Sequence, residues 1–303
     1  MDGLNEVAAY LPEDAKRALL ELGKREQVSN VRLYAGRRPR AQWPGGDAHI
    51  GAEMSAAELR GILANMLSHS LYAWEDQLGE GFFTLPGGVR AGVCGRFARA
   101  DGKTRLAEAG SVCLRIAREV PGCAEKLAET VLRDGTPKSA ILLSGPGMGK
   151  TTLLRDAIRL FSEKGYSVGI ADERGEIAAC RGGVPTLNIG DRSDVAEGTD
   201  KSGAIRRLIR TMSPDIVAMD ELDGGKDALA VREAARMGVC VCATAHAEGV
   251  NEALSRPALR KLMAEGAFSW AFELANPPGT VKRIWTYAKG RWESEWTNGE
   301  KGK

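Results

Sequence analysis

The chain lacks a dominant charge of either sign: 42 Lys and Arg stand against 40 Asp and Glu in 303 residues, a net charge of +2. No global field therefore points to nucleic acid or to anionic lipid. The basic runs are short, Arg37-Arg38-Pro39-Arg40 and Arg206-Arg207 with Arg210, and the first reads as a solvated loop. No apolar segment approaches the ~20 residues that span a bilayer, and no N-terminal stretch has the layout of a signal peptide. A cytoplasmic protein without direct membrane insertion is expected, at most docked on a membrane protein. The six cysteines (Cys94, Cys113, Cys123, Cys180, Cys240 and Cys242) include no C-x-x-C pair and no histidine at metal-ligand spacing, which fits a reducing compartment. Cys240 and Cys242 lie in an apolar run and face one side of a strand, as packed thiols do. No internal repeat and no low-complexity tract is present.

What is there suffices for two domains: 43% of the residues are hydrophobic, enough to fill two cores at this length. The N-terminal part reads as a smaller α+β domain. A helical pattern covers Glu13 to Leu22, a strand Val28 to Leu33, and a Pro/Gly loop follows. Ser55 is placed as an N-cap with Glu58 at the capping-box position, before Leu59, Ile62, Leu63, Met66 and Leu67 at helical spacing. The run Gly81 to Leu85, the turn Pro86-Gly87-Gly88 and the run Val89 to Phe97 give a hairpin signal, and Ser111 to Ala117 one more strand. The domains are expected over residues 1–125 and 126–303.

From Ala140 the pattern changes to alternating strand and helix, with near-continuous apolar strands at Ala140–Ser144, Ser167–Asp172, Asp215–Asp220 and Val239–Ala243. That is the pattern of a parallel sheet covered on both faces, in which ligands sit beyond the carboxyl ends of the strands. The first strand runs into Gly145-Pro146-Gly147-Met148-Gly149-Lys150-Thr151-Thr152, and a helix with Leu153, Leu154, Ala157 and Ile158 follows. This is the layout of a P-loop. Gly147 and Gly149 let the backbone wrap so that amides face phosphate oxygens, and the helix N-terminus adds partial positive charge. Lys150 reaches the β- and γ-phosphates in such a loop, and the Thr151 hydroxyl ligates Mg²⁺. One position departs: the spacing asks for Gly at 144, where this chain has Ser144.

Three more strand ends are polar. The run Asp215 to Glu221 is an apolar strand ending in Asp-Glu, the Walker B arrangement; Asp220 holds Mg²⁺, and Glu221 orients and deprotonates the attacking water. Asp172-Glu173-Arg174 closes the strand after the P-loop helix, where Glu173 can share the metal or water, or simply belong to a charged surface turn. Ala243-Thr244-Ala245-His246 closes the next, and a neutral His246 can donate a hydrogen bond to the γ-phosphate or be a satisfied loop histidine. Phosphoryl transfer often needs an arginine from a neighbouring subunit. Arg192 and the group Arg206, Arg207 and Arg210 are the candidates, with Arg192 and Arg207 placed among the catalytic residues.

These motifs resemble the ring-forming secretion ATPases of type II and type IV systems and type IV pili, which carry an aspartate box and a histidine box between and after the Walker motifs. The resemblance is closer to one branch, the stage III sporulation AA proteins of endospore-forming bacteria. It is carried by Ser68-His69-Ser70-Leu71-Tyr72-Ala73-Trp74-Glu75, Thr84-Leu85-Pro86-Gly87-Gly88-Val89-Arg90, Leu114-Arg115-Ile116-Ala117-Arg118-Glu119-Val120 and Met212-Ser213-Pro214-Asp215. It implies a RecA-like ATPase domain behind the N-terminal domain, ATP and Mg²⁺ as cofactors, and a homo-hexamer with ATP between subunits. It further implies docking on integral membrane proteins of a channel, on the mother-cell side of the forespore. Arg115 matches an N-domain arginine that approaches the nucleotide. Arg210 lies one residue further from Pro214-Asp215 than its pilus-ATPase equivalent, and the four-cysteine zinc module of some type II members is lacking. Two other functions share the core: a nucleic-acid translocase, disfavoured by the balanced charge and the lack of an aromatic-basic module, and a non-hydrolysing nucleotide switch, disfavoured by the retained Asp220 and Glu221.

Overall fold

The computed structural model describes residues 3–68, 78–100, 102–116, 119–222 and 225–298. Residues 69–75 of the Ser68–Glu75 stretch, and Ala117 and Arg118, lie outside the described residues. The chain divides into two compact units: residues 1–118 with 179–187, and residues 119–178 with 188–303.

The first unit is built on an antiparallel sheet. Its elements are α1 (Gly3–Tyr10), α2 (Glu13–Leu20), β1 (Asn30–Tyr34), β2 (Arg40–Trp43), β3 (Gly46–His49), α3 (Ala56–Met66), β4 (Phe82–Leu85), β5 (Val89–Ala100) and β6 (Lys103–Arg115). The sheet order is β3-β2-β1-β6-β5-β4. The capping box forms as expected: the Ser55 hydroxyl accepts from the Glu58 amide at 3.2 Å and the Glu58 carboxylate accepts from the Ser55 amide at 2.7 Å. Leu59, Ile62, Leu63 and Met66 are buried. The Pro86-Gly87-Gly88 turn joins β4 to β5, with both glycines in the left-handed region (φ +70° and +68°), where a Cβ is unfavourable.

Two strand expectations are corrected. The first strand begins at Asn30 rather than Val28. The strand expected from Ser111 begins at Lys103, making one long hairpin with β5. Only residues 111–115 of β6 also pair with β1. The outer part of the hairpin has little core to cover, so its sequence carries no clean inward-outward alternation. The excursion 179–187 belongs to this unit: the Thr186 hydroxyl accepts from the Gly87 amide at 2.8 Å and donates to the Ala179 carbonyl at 2.6 Å.

The second unit contains α4 (Glu125–Val131), β7 (Ala140–Ser144), α5 (Lys150–Glu163), β8 (Val168–Asp172), β9 (Ser193–Glu197), α6 (Lys201–Met212), β10 (Ile216–Met219), α7 (Gly225–Arg236) and β11 (Cys240–His246). It continues with α8 (Val250–Ser255), α9 (Pro257–Ala264), β12 (Trp270–Ala275), β13 (Thr280–Ala288) and β14 (Arg291–Thr297). The sheet order is β14-β13-β12-β7-β11-β10-β8-β9. Strands β12, β7, β11, β10, β8 and β9 run parallel, and β13 and β14 add antiparallel strands at one side. The four expected strands are thus the centre of an eight-stranded sheet. Strand β9 reads Ser-Asp-Val-Ala-Glu and lies at an edge, so it carries no apolar run. Ile141 and Leu143 join the core formed with α6, α7 and α9, while Ala140 and Leu142 on the other side of β7 are equally buried. Coverage of both faces explains the unbroken apolar strands.

Candidate nucleotide-binding site

The sheet register brings four strand ends together. Met219 is level with Ala171 on one side and Ala243 on the other, and His246 is level with Ser144. Asp220 and Asp172 therefore leave neighbouring strands side by side, with Thr244 next to Asp220.

The loop from Gly145 to Gly149 turns sharply, with Gly147 at φ +72° and Gly149 at φ +84°. A Cβ at Gly149 would lie 2.7 Å from the Gly279 nitrogen, and the Gly279 amide donates to the Met148 carbonyl at 2.8 Å. No larger residue fits there. Position 144 makes no such demand: Ser144 is the last residue of β7, buried and outside the left-handed region. Its carbonyl accepts from the Lys150 ammonium at 3.0 Å and its hydroxyl at 3.3 Å, so serine replaces the expected glycine without cost to the turn. The Gly145 carbonyl at 2.9 Å and His246 Nδ1 at 3.1 Å surround the same ammonium, whose three N–H groups are shared among the four acceptors. Burial lowers the Lys150 pKa from its ordinary value, opposed by the nearby carboxylates of Asp220 and Glu221. Pro146 and Gly147 are exposed at the loop's tip, while Thr151 and Thr152 are half-buried at the start of α5.

Asp220 is held by hydroxyls. Thr151 Oγ1 donates to its Oδ2 at 2.7 Å, and Thr244 Oγ1 donates to its Oδ1. The Glu221 amide donates to Thr244 Oγ1 at 2.8 Å. Glu221 itself sits at φ +52°, a region that non-glycine residues rarely adopt. Its Oε2 pairs with Arg174, and its Oε1 lies 3.3 Å from His246 Nε2. An ammonium only donates, so Nδ1 of His246 is the acceptor toward Lys150 and the ring proton sits on Nε2, facing Glu221. His246 thus links the P-loop lysine to the second Walker B carboxylate.

Asp172 does different work. It is buried, and its carboxylate accepts from the amides of Glu176 (2.9 Å), Ile177 (3.1 Å) and Ala178 (2.8 Å). Arg155 on α5 donates to the Ile177 carbonyl at 2.6 Å and to the Glu176 carbonyl. The loop after β8 is thereby held by its donors on one side and its acceptors on the other. Burial pushes the Asp172 carboxyl up from its ordinary range, against the pull of those three amides. Glu173 is more exposed and pairs with Lys201 Nζ at 3.5 Å. Lys201 is itself buried and donates to the Glu221 carbonyl at 2.7 Å. A cleft lined by Glu173, Arg174, Lys201, Asp220 and Glu221, among others, opens here.

The structure thus gathers Gly145 to Thr152, Asp220, Glu221, Glu173 and His246. Within the second unit it does not gather Arg192 or Arg207. Ser193, at the start of β9, is level with Val168 at the start of β8. Arg192 therefore lies at the amino edge of the sheet, a strand length of roughly 13 Å from this chain's own carboxylates. Arg207 is exposed on α6 and Arg206 pairs with Glu233. Arg115 is exposed at the end of β6, in the first unit. Lys201 was missed by sequence reasoning, and Arg174 and Thr244 were seen only as members of their boxes. An N-cap aspartate, Asp200, ahead of a lysine after an acidic strand was the available signal for Lys201.

The family described as "Sporulation stage III, protein AA" matches residues 30–291. Stage III sporulation protein AA of Bacillus subtilis (strain 168) is 34% identical over 292 residues, which cover 93% of this chain and 95% of that protein. The uncharacterized protein ycf45 of Porphyra purpurea is 27% identical over 272 residues, 86% of this chain and 44% of that protein. Among solved structures, the pilus retraction motor PilT with bound ADP aligns with a TM-score of 0.59 at 18% identity, covering 98% of this chain and 84% of that one. The ATPase DotB of Legionella pneumophila aligns with a TM-score of 0.57 at 16% identity, covering 91% and 78%. At those identities the likeness is one of fold, a RecA-like core preceded by a smaller N-terminal domain. By the family match and the 34% identity, the chain belongs to the stage III sporulation protein AA family.

Proposed function

We propose that this chain is a Mg²⁺-dependent ATPase that drives a sporulation channel apparatus, working as a homo-hexamer against integral membrane proteins on the mother-cell side of the forespore. One observation carries the ATPase reading: Thr151 of the P-loop and Asp220 of the Walker B strand share a 2.7 Å hydrogen bond, with Glu221 next in the chain. This donor set fits Mg²⁺, which takes one or two hard oxygen ligands from protein and completes its shell with phosphate and water. Thr151 and Asp220 would hold the ion; when bound, it neutralises charge on the β- and γ-phosphate oxygens. The amides of Gly145 and of Gly147 to Thr152, with the Lys150 ammonium, bind the triphosphate. Glu221 orients water and takes its proton on a carboxylate oxygen, while Arg174 and the Nε2–H of His246 aim that carboxylate. Glu173, on the neighbouring strand, supports the same water. A neighbouring subunit's Arg192 or Arg207, and Arg115, are the proposed cationic complement. The motor and channel role rests on membership of the sporulation family and on the fold shared with a pilus retraction motor.

The test is calorimetric titration of ATP with and without Mg²⁺, paired with phosphate release. Lys150→Ala is expected to lose both binding and turnover, and Glu221→Gln to keep binding and lose turnover. Wild-type protein that takes up no nucleotide overturns the reading; Glu221→Gln hydrolysing at the wild-type rate removes Glu221 from it.

A further inference from the structure

We infer that Lys201 is a positioning residue for hydrolysis: its buried ammonium fixes the backbone at Glu221 and, through Glu173, ties the acidic ends of β8 and β10 together. The inference rests on the ATPase reading above.

Lys201 is the first residue of α6, and the Asp200 side chain caps that helix by accepting from the Gly203 amide at 2.9 Å. The Lys201 side chain is only 8% exposed. Lysines are almost never so enclosed unless their charge is paired, and both of its partners belong to the cleft. One is the Glu221 carbonyl at 2.7 Å, the other the Glu173 carboxylate at 3.5 Å.

The carbonyl contact matters because Glu221 is in the left-handed region, at φ +52°. Such a conformation persists in a non-glycine residue only where its surroundings impose it. Here the amide is held by Thr244 Oγ1 and the carbonyl by Lys201. Those two bonds decide where the side chain leaves the backbone, between Arg174 and His246. With Lys201 removed, the carbonyl loses a buried donor and the residue can return to an ordinary φ, which re-aims the carboxylate. A displacement of about 1 Å at a reacting group costs on the order of a hundredfold in rate. The P-loop amides, Lys150 and Thr151 are not touched, so nucleotide affinity should hold.

Lys201→Met is therefore expected to lower kcat about ten- to a hundredfold while KM for ATP stays within about threefold. Lys201→Arg, which restores a cationic donor, should recover part of the loss. On a Glu221→Gln background, Lys201→Met should add less than about twofold, because both changes disable one carboxylate. A readout free of turnover is amide hydrogen exchange in nucleotide-free protein. Residues 219–222 should exchange about tenfold faster in Lys201→Met, with α5 unchanged. Should the Met variant fail to fold, Lys201→Gln keeps a donor without charge and is expected to fall between Met and Arg. A folded Lys201→Met with wild-type kcat, or with wild-type exchange at 219–222, overturns the inference. If wild-type protein binds no ATP, the ATPase reading fails, and the exchange comparison still decides whether Lys201 clamps Glu221.

Discussion

The dipeptide Asp-Glu occurs at two adjacent strand ends, Asp172-Glu173 after β8 and Asp220-Glu221 after β10, and the register sets them level. Their surroundings differ completely. Asp172 turns its carboxylate onto three backbone amides and is closed off from solvent. Asp220 meets two hydroxyls, one from the P-loop and one from β11. An amide-bound carboxylate fixes a loop; a hydroxyl-bound one at a phosphate-binding loop keeps oxygen lone pairs for a cation. The glutamates divide in the same way. Glu221 has both oxygens engaged, by Arg174 and His246, in a backbone conformation that must be imposed. Glu173 is half-exposed with one lysine partner. The same dipeptide braces a loop at the end of β8 and faces the P-loop and β11 at the end of β10, where the proposed metal site lies; what separates them is the neighbour each strand end meets.

This contrast breaks if the two aspartates are interchangeable in function. Asp220→Asn is expected to lower Mg²⁺-dependent phosphate release about a thousandfold, with the urea midpoint near wild type. Measured the same way, Asp172→Asn should retain turnover well above the Asp220 variant. Equal losses in the two would mean that Asp172 also reaches the metal or the water.

The second measurement exchanges the readouts. Asp172→Ala strips the acceptor from three buried amides, and each group left unsatisfied costs on the order of 1–3 kcal/mol. Relaxation and entering water reduce the sum, so a net destabilisation of about 3 kcal/mol is expected in urea unfolding. Asp220→Ala should lose less, on the order of 1 kcal/mol: Asp220 and Thr151 are half-buried, so water can replace the carboxylate at Thr151, and only the buried Thr244 hydroxyl loses its acceptor. Stability losses in the reverse order would move the brace from β8 to β10.

Much of this was legible from the chain alone. The P-loop declared itself because strand, glycines, lysine and helix are contiguous, and Asp220-Glu221 because an apolar run ends on it. His246 and Glu173 were found by the same logic of strand ends. What could not be read were contacts made sideways between strands. Thr244 matters only because β11 is next to β10, and Lys201 because α6 begins beside Glu221. The parallel pairing of β9 with β8 puts Arg192 at the far edge of this chain's own sheet, so the role proposed for it is in a neighbouring subunit. The excursion 179–187 gave no signal either: its contacts with the first unit, such as the Gly87 amide donating to the Thr186 hydroxyl, join residues about a hundred positions apart. Strands β13 and β14 carry half-buried, Trp-bearing sequences with no apolar run, whereas β12 is buried over Trp270 to Leu274 with Glu273 interrupting its apolar residues.

The smallest expected effect sharpens the contrast most, because it asks which force rules Asp172. Burial raises its pKa and three amides lower it, with burial the larger influence. A carboxyl whose native pKa lies above its unfolded value, about 3.9, binds its proton more tightly when folded. Its contribution to stability is then full below about pH 4 and is lost as the pH rises through the raised native value. Asp172→Asn cannot titrate there, so wild-type protein should lose stability relative to this variant as the pH climbs out of the acid range. Urea midpoints of the two proteins, compared across roughly pH 4 to 7, give the sign directly. If wild type instead gains on the variant with rising pH, the amides outweigh burial: the brace is then an ionised carboxylate held by its loop, and the two aspartates differ in their partners but not in their charge.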